Sequence, residues 1–345
     1  MTDQQIYGVI GAGSFGTAVA NLLAHNVKVL MYSREPAVVQ RINKERKHLG
    51  IKISERISAT DSLQEVASTC QTIFPIVPSV KFREMMQQLG PYLNPAHILI
   101  HGTKGFDTFE DGAHVPETDS LLPDQVHTMS QVILQESSVR RIGCLSGPNL
   151  ASEIMEGQPT ATLVASPFSE VITIGKSVLN SPNFKVYGSD DLLGAELAGA
   201  LKNIVALGSG ILRGKGLGKN IQAMLITHGL LEMVRFGRAF GAEVHSFFGT
   251  AGIGDLVATA TSKSSRNFTF GYRLGQGESV TEIKKSMPEL AEGVRTIQIT
   301  NALARHARLR VPITNTLYNV IFDHYEIDKA IKYLLAYPYD VDVSL

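Results

Sequence analysis

The feature that most constrains this chain is a glycine-rich turn that joins a strand pattern to an amphipathic helix pattern near its start. Residues 9–24 read VIGAGSFGTAVANLLA. In such a turn, Gly11 permits the tight bend, Gly13 lets a pyrophosphate approach the backbone, and Gly16 lets helix and strand pack closely. The N–H groups at the start of the helix then bind phosphates. This context predicts a dinucleotide-binding turn, and a purely structural turn is the alternative.

The first half of the chain alternates between strand and helix patterns. Helix patterns include PAVVQRINKER, with Pro36 in its first turn, and a segment that Asp61 can cap. The alternation predicts a Rossmann-like, doubly wound and mainly parallel sheet, whose strand carboxyl ends collect the polar segments that follow them into one crevice. The predicted strands are IYGVI, VKVLMY, ISAT, QTIFPIV, HILIHG and RIGCLSG, with ATLVAS and KVYGS as two further strands.

After residue 189 the alternation of strand and helix patterns ends, and long apolar stretches with helical spacing follow. These stretches are 192–212, 220–240, 289–308 and 313–325. We therefore predict two domains, a dinucleotide-binding domain over 1–189 and an all-helical substrate-binding and catalytic domain over 190–345. Residues 106–124 hold six acids and no Lys or Arg, which predicts a solvated excursion from the first domain.

Composition excludes several classes of partner. Thirty-two basic residues balance 32 acidic ones, so no global field draws the chain to nucleic acid or to an anionic membrane. Only Cys70 and Cys144 are present, which predicts a reduced protein with inert, buried thiols. No signal-like start, no apolar run approaching 18 residues and no metal-ligand spacing is found, so we expect a cytoplasmic protein without stable membrane association or metal.

The end of the second predicted strand bears on which dinucleotide is bound. Ser33, Arg34 and Glu35 stand where an acid usually binds the ribose 2′-hydroxyl. Arg34 suits the 2′-phosphate of NADP and so favours that cofactor. Glu35 is an acid that could bind the ribose 2′-hydroxyl, so NAD is the alternative. Arg34 as a plain surface charge is the third alternative.

Lys202 lies within an almost wholly apolar helical stretch. Its neighbours at three and four residues are Ala198, Gly199, Val205 and Ala206. Desolvation lowers the pKa of a lysine, so this amine is a candidate for proton exchange near neutral pH. The alternative is a lysine that extends to water from a buried helix.

The stretch GTAGIGDLVATATSKSSRN, residues 249–267, combines an acid with a cluster suited to an anion. Asp255 follows the glycines, and Ser265, Arg266 and Asn267 can surround a phosphate, with Arg266 binding two of its oxygens. A solvated polar loop is the alternative, and it is preferred for Lys263. Lys104 follows a strand at the crevice edge, whereas His101 and His228 are interpreted as core histidines.

Six motifs, in this order and spacing, make the chain resemble bacterial NAD(P)-dependent glycerol-3-phosphate dehydrogenases over residues 6–325. They are GAGSFGTAVA, GTKG, SGPNLASE, GALKNIVALGSGI, GIGDLVATATSKSSRN and AEGVRT. The resemblance implies reduction of dihydroxyacetone phosphate to sn-glycerol 3-phosphate, reversibly, for glycerophospholipid synthesis. It also implies a homodimer that uses NADP or NAD.

The resemblance also assigns site residues. It places Lys202 as general acid and base, and it assigns Asp255, also a catalytic residue, to the substrate's polar head. For the rest of the substrate it implies Lys104, Gly147, Asn149, Ser265, Arg266 and Asn267. For the dinucleotide it implies Ser14, Phe15, Arg34, Lys104, Ala151, Arg266, Leu290 and Glu292, besides the three glycines. Asn149 and Ser152 depart from the threonine and lysine common in bacterial members, which leaves the contacts of that loop open.

Two other functions are weighed against this one. A hydroxyacid or ketopantoate-type dehydrogenase also combines a Rossmann domain with a catalytic lysine, but it typically spaces that lysine and an asparagine three or four residues apart. Here Lys202 and Asn203 are adjacent. A non-enzymatic sensor of NAD(P) would need no special lysine at all.

Overall fold

The computed structural model describes residues 5–110, 113–114, 120–287 and 291–338. The strands in this part of the chain are β1 Ile6–Ile10, β2 Lys28–Tyr32, β3 Lys47–His48, β4 Ile51–Lys52, β5 Ile57–Thr60, β6 Thr72–Pro75, β7 Ile98–His101, β8 Asp107–Glu110, β9 Ala113–His114, β10 Val126–His127, β11 Arg141–Ser146, β12 Thr160–Ala165 and β13 Phe184–Ser189. Each predicted strand is therefore present.

The helices complete the alternation in the first half and dominate the second. They are α1 Ser14–Leu23, α2 Pro36–Gln40, α3 Leu63–Thr69, α4 Phe82–Leu89, α5 Met129–Glu136, α6 Ala151–Met155, α7 Ser169–Leu179, α8 Leu192–Gly214, α9 Lys219–Ala239, α10 His245–Phe248, α11 Asp255–Thr261, α12 Arg266–Gly275, α13 Val280–Ser286, α14 Glu292–His306, α15 Pro312–Phe322 and α16 Ile327–Leu335. Two π-helical turns, Arg41–Glu45 and Thr250–Gly254, adjoin α2 and α11.

Eight strands form one mainly parallel sheet in the order β13-β12-β11-β7-β6-β1-β2-β5. The run from β5 to β11 reproduces the doubly wound order 3-2-1-4-5-6, and the order reverses between β1 and β6. Only β11 and β12 pair antiparallel among the described strands of this sheet. The predicted Rossmann-like fold class is confirmed, and its switch point lies where the glycine-rich turn follows β1.

Two apolar cores cover the two faces of this sheet. The side chains of β7 show the division, because Ile98 and Ile100 belong to one core and Leu99 to the other, as the alternation of a strand requires. Cys70 and Cys144 are buried thiols that form no disulfide with each other, as predicted. Burial raises the pKa of Cys70 to about 12, which keeps it a neutral thiol.

Two local predictions in the first half are wrong. Ser62, not Asp61, caps α3, because its hydroxyl accepts the Glu65 N–H at 3.1 Å. The helix that begins with Pro36 is regular only to Gln40 and continues as the π-helical turn. That turn brings the Asn43 amide against Ala59, where it both donates to and accepts from the main chain of the edge strand β5.

The acidic stretch 106–124 is not a wholly solvated excursion. Phe106, Asp107, Thr108 and Leu121 are buried. The Asp107 carboxylate accepts from Arg83 Nε at 2.7 Å, and both side chains are about 93% buried, with 7% of each exposed. A buried carboxylate needs such a partner, and the sequence pattern gave no sign of a basic residue 24 positions away. Part of the stretch lies outside the described residues.

Contacts divide the described residues into two compact units. One comprises the residues up to Asp107 together with Thr128–Leu192; the other comprises Thr108–His127 and the residues from Leu193 onward. In the second unit, α8 and α12 approach backbone to backbone. A Cβ on Gly210 would lie 2.1 Å from the Phe268 oxygen, and a Cβ on Gly271 would lie 1.9 Å from the Leu207 oxygen. Only glycine permits this crossing.

Helix α15 is capped by a buried carboxylate from α9. Glu232 accepts the N–H groups of Ile313 and Thr314 at 2.5 and 3.1 Å, and the Thr314 hydroxyl at 3.0 Å. These are orphan donors of the first turn, which Val311 does not cap. Burial nevertheless raises the pKa of Glu232 to about 7, although these hydrogen bonds oppose the rise.

One described helix is long and apolar enough to cross a membrane by length and composition. It is α8, in which an 18-residue window has a mean hydropathy of 1.3, and 94% of that window is buried inside the protein. The expectation that no apolar run approaches 18 residues is therefore wrong when a run is defined by its mean hydropathy, because this window of α8 is 18 residues long. In this structure α8 is the central core helix of the second unit.

Candidate active site

The glycine-rich turn combines two sterically required glycines with one that faces open space. Gly11 has a φ of +116°, and a Cβ there would lie 2.0 Å from the Ile76 oxygen. A Cβ on Gly16 would lie 1.9 Å from the Gly11 oxygen. Gly13, in contrast, is exposed and has no heavy atom within 4 Å of a Cβ. The protein itself requires the first and third glycines, whereas the second leaves the backbone open to a ligand.

Helix α1 begins directly after this open glycine. Its N-cap is Gly13, which has no side chain to accept the first N–H groups. Ser14 is exposed and Phe15 is half-buried at the first two helical positions. An uncapped helix N-terminus beside an open cradle fits the pyrophosphate of a dinucleotide.

Arg34 lies two residues beyond the end of β2, exposed to solvent. Ser33 is buried, and its hydroxyl accepts the Glu35 N–H at 3.2 Å, which fixes the chain on either side of Arg34. Burial raises the pKa of Tyr32, and the positive charge of Arg34 opposes that rise. A cation therefore stands at the strand end where the adenosine ribose binds in doubly wound folds.

Lys104, Gly147 and Asn149 lie at the carboxyl ends of neighbouring strands in the first unit. Lys104 Nζ donates to the Gly147 oxygen at 3.0 Å. Asn149 Nδ2 lies 2.9 Å from the Thr162 hydroxyl, while its Oδ1 is buried and accepts no hydrogen bond from the described residues. This edge of the sheet therefore presents an ammonium and an amide oxygen within one small region. Ala151 begins the short helix α6 that follows.

Lys202 forms a buried ionic cluster in the second unit. Its Nζ lies 2.8 Å from Asp255 Oδ1 and donates to the Thr259 hydroxyl at 2.5 Å. The Thr259 hydroxyl in turn donates to Asp255 Oδ1 at 3.0 Å. Only 5% of Lys202 and 2% of Asp255 are exposed. The lysine therefore does not extend to water, and the carboxylate stabilises its ammonium form.

Local sequence explains how α11 presents this cluster. Asp255 and Thr259 are four residues apart and so share one face of the helix. The π-helical turn before Asp255 passes close to α10, because a Cβ on Gly252 would lie 2.1 Å from the Phe247 oxygen. The sequence motif indicates Asp255 but not Thr259, for which the i, i+4 spacing is the available signal.

Asn267 joins three helices of the second unit. Its Nδ2 donates to Asn203 Oδ1 on α8 at 2.9 Å, and its Oδ1 accepts the Gly293 N–H on α14 at 2.8 Å. A Cβ on Gly293 would lie 2.8 Å from the Asn203 oxygen, so glycine is required there. The predicted phosphate contact of Asn267 would use the remaining N–H of its amide.

Ser265 and Arg266 begin α12 next to this junction. The Ser265 hydroxyl caps the helix by accepting the Phe268 N–H at 3.3 Å, and Arg266 is exposed at the first helical position. A helix N-terminus with an arginine on it suits a phosphate. Glu292 begins α14, whereas Leu290 lies outside the described residues.

The predicted site residues thus fall into two sets. The glycine-rich turn with Arg34, Lys104, Gly147, Asn149 and Ala151 lies in the first unit. Lys202, Asp255, Ser265, Arg266, Asn267 and Glu292 lie in the second. Within the second unit the structure brings Lys202 to Asp255 and Asn267 to Asn203. His101 is buried against Phe82, as predicted for a core histidine.

Two family models match the chain in tandem. The model of the NAD-dependent glycerol-3-phosphate dehydrogenase N-terminus matches residues 7–171, and that of the C-terminus matches residues 191–332. Together they cover most of the sequence, and they confirm the resemblance that the six motifs indicated.

Individual relatives agree over nearly full length. A glycerol-3-phosphate dehydrogenase (NAD(P)+) of Saccharophagus degradans is 37% identical over 350 residues, covering 100% of this chain and 94% of the relative. Its counterpart from Carboxydothermus hydrogenoformans is 39% identical over 321 residues, 91% of each chain. The crystal structure of glycerol-3-phosphate dehydrogenase from Coxiella burnetii superposes with a TM-score of 0.86 at 30% identity, covering 97% of this chain and 100% of that chain.

Proposed function

The chain belongs to the family of NAD-dependent glycerol-3-phosphate dehydrogenases, and from that premise we propose how its residues perform the reaction. The enzyme is an NAD(P)-dependent oxidoreductase that interconverts dihydroxyacetone phosphate and sn-glycerol 3-phosphate, the glycerol phosphate used in phospholipid synthesis. The observation that carries the mechanism is the buried cluster of Lys202, Asp255 and Thr259.

Lys202 is the general acid and base. In the direction of reduction, its ammonium protonates the oxygen at C2 of the substrate as the carbonyl becomes an alkoxide. In the direction of oxidation, the neutral amine removes the proton of the C2 hydroxyl. After reduction the neutral amine takes up a proton from water before the next turnover, and after oxidation the ammonium releases one, so each reduction consumes one proton and each oxidation releases one.

Asp255 and Thr259 hold that amine in place. Two acceptors on one helix face fix the position of Nζ, and the carboxylate compensates for burying the charge. A fixed amine can meet the C2 oxygen without losing further conformational entropy. Asp255 is thus a partner of Lys202 as well as a proposed contact for the polar head of the substrate.

The phosphate of the substrate is assigned to the start of α12. Arg266 provides two N–H donors, the helix N-terminus provides a partial positive charge, and Ser265 and Asn267 provide further polar groups. Asn267 is held by Asn203 and Gly293, which keeps this group rigid. Lys104, Gly147 and Asn149 are assigned to the substrate from the first unit.

Most of the residues that we assign to a nicotinamide dinucleotide lie in the first unit. Gly11, Gly13, Gly16, Ser14 and Phe15 would hold its pyrophosphate. Arg34 would hold the adenosine ribose or its 2′-phosphate, and the remaining contacts are Lys104, Ala151, Arg266, Leu290 and Glu292. When bound, the nicotinamide supplies or accepts the hydride at C2.

The proposed domain organisation follows from the assignment of cofactor residues mainly to the first part of the chain and of Lys202 and Asp255 to the second. We assign cofactor binding to residues 1–189 and catalysis to residues 190–345. A cytoplasmic homodimer without stable membrane association is the assembly that we propose.

The test is a substrate comparison with a matched lysine control. NADH and NADPH oxidation is followed with dihydroxyacetone phosphate, with 2-oxo acids and with ketopantoate. We expect turnover only with dihydroxyacetone phosphate, lost in Lys202→Ala and retained in Lys215→Ala, which removes an exposed lysine just after the same helix. Turnover only with the other substrates would identify a hydroxyacid or ketopantoate enzyme. Dinucleotide binding without turnover on any substrate would favour a sensor.

A further inference from the structure

His48 makes a side-chain hydrogen bond to the glycine-rich turn. Its Nε2 lies 2.7 Å from the carbonyl oxygen of Ala12, between Gly11 and Gly13. Among the described residues, no other side chain hydrogen-bonds to residues 11–16. The motif that defines the turn does not include this histidine, which lies 36 residues further along the chain.

The hydrogen bond determines the form of the imidazole. A carbonyl oxygen only accepts, so Nε2 carries the hydrogen. Nδ1 is buried and has no hydrogen-bond partner among the described residues. A hydrogen on Nδ1 would be buried without an acceptor, so the tautomer with its hydrogen on Nε2 fits this environment.

A small hairpin holds His48 in place. Strands β3 and β4 pair antiparallel with His48 opposite Ile51, and the two-residue loop between them, Leu49 and Gly50, has φ values of 51° and 77°. Two positive φ values are the signature of a type I′ turn, the preferred connection of a tight hairpin. Although it sits on a hairpin, His48 is only 4% exposed. Its ring therefore reaches the turn from a rigid support.

The bond to Ala12 also sets the direction of the next amide. No cis peptide bond occurs in the described chain. In a trans peptide the carbonyl and the following N–H point in opposite directions. A donor that fixes the Ala12 carbonyl on the His48 side therefore directs the Gly13 N–H to the opposite side. Gly13 is the exposed glycine whose surroundings are empty of protein atoms within 4 Å of a Cβ.

We propose that His48 is a positioning residue for the dinucleotide: by holding the Ala12 carbonyl, it directs the Gly13 N–H at the pyrophosphate. This inference rests on the proposed function, because it takes the ligand of the turn to be a nicotinamide dinucleotide. His48 touches neither substrate nor cofactor in this role.

The first test compares two substitutions of similar volume. His48→Gln keeps an N–H donor, and His48→Leu removes it. Fluorescence titration with NADPH and NADH should show about five- to tenfold weaker binding for His48→Leu, the value of one hydrogen bond, and within about threefold of wild type for His48→Gln. The kcat at saturating cofactor and the KM for dihydroxyacetone phosphate should stay within about twofold of wild type in both variants.

His97 supplies the matched control. It is 6% exposed, and its Nε2 lies 2.9 Å from the Ala67 carbonyl, so it is a buried histidine on a main-chain oxygen away from the turn. His97→Leu should lower the unfolding temperature without weakening cofactor binding. Equal affinity of His48→Leu and wild type would overturn the inference, and so would an equal loss in His97→Leu. If the wild type binds neither dinucleotide, the proposed function fails and this inference with it.

The second test needs no variant. Nitrogen chemical shifts of isotopically labelled histidine in the wild-type protein report which ring nitrogen carries the hydrogen. We expect the Nε2–H form for His48. The Nδ1–H form would leave Nε2 unable to donate and would contradict the inference, whatever the stability of the variants.

Discussion

The two halves of the proposed machinery are built in opposite ways. The glycine-rich turn consists of main chain, and its shape depends on the absence of side chains at Gly11 and Gly16 and on open space at Gly13. The Lys202 cluster consists of side chains, and its shape depends on a contact between residues 57 positions apart, Lys202 and Thr259. One is a local backbone motif, whereas the other exists only after the helices have packed. Damage to the turn should therefore affect binding, while damage to the cluster should affect both folding stability and chemistry.

The largest effect is expected from Asp255→Asn. It leaves the Lys202 ammonium buried without its carboxylate, which should lower the free energy of unfolding by about 3 to 5 kcal/mol and sharply reduce turnover. Denaturant titration measures the first and NADPH oxidation the second. The control is Asp328→Asn, which breaks an exposed pair with Lys215 of the same 2.8 Å length and should cost less than about 1 kcal/mol. Equal losses of unfolding free energy in Asp255→Asn and Asp328→Asn would show that burial of the Lys202–Asp255 pair does not increase its contribution to stability.

Arg266→Ala tests the phosphate assignment in the same unit. Loss of a two-point contact to a charged group should cost about 2 to 5 kcal/mol in kcat/KM for dihydroxyacetone phosphate. Arg273→Ala, on the same helix but paired with Glu278 at the surface, should leave kcat/KM unchanged. A loss of only a few tenths of a kcal/mol for Arg266→Ala would mean that this arginine stays in water throughout the reaction.

Glu232 extends the comparison to a buried carboxylate that main-chain N–H groups bind. Its pKa is about 7 in the folded protein and near 4.5 in the unfolded chain. The folded state therefore binds the proton more tightly, and the resulting stability is present below pH 4.5 and lost as the pH rises to 7. This rise in the pKa corresponds to about 3 kcal/mol.

Glu232→Gln removes that titration. The unfolding free energy of the wild type minus that of Glu232→Gln should fall by about 3 kcal/mol between pH 4.5 and 7.5. A difference that stays constant over this range would show that the carboxylate is ionised throughout, stabilised by the N–H groups of α15.

The smallest effect is expected at the turn, from Gly13→Ala. The added methyl group fills the open cradle and should weaken dinucleotide binding by about 1 kcal/mol without changing the fold. Gly218→Ala is closely matched, because Gly218 is also an N-cap with nothing within 4 Å of a Cβ and nearly the same backbone angles. Both variants should lose a few tenths of a kcal/mol of helix stability, but only Gly13→Ala should bind cofactor more weakly. Equal cofactor affinities of Gly13→Ala and Gly218→Ala would show that the dinucleotide does not bind at the glycine-rich turn.

The difference between the two regions also explains what the sequence could predict. The turn, the strands and Pro36 at the start of α2 are local patterns, and they were predicted correctly. Lys202 was selected because its neighbours along the helix are small or apolar, which is again local. Thr259, the bond from Asn203 to Asn267 and the pair of Arg83 with Asp107 depend on residues distant in sequence. The capping of the first turn of α15 by Glu232 of α9 is a further case, because no residue near Thr314 in sequence indicates that Glu232 binds there.

The proposed mechanism depends on the amine of Lys202 carrying the proton. Its most direct test is turnover of Lys202→Ala with and without added methylammonium, alongside titration of the variant with NADPH. We expect turnover lower by about 10²- to 10⁴-fold, partial recovery as the amine concentration rises, and cofactor affinity within about twofold of wild type. Turnover at the wild-type rate in the absence of any added amine would contradict it.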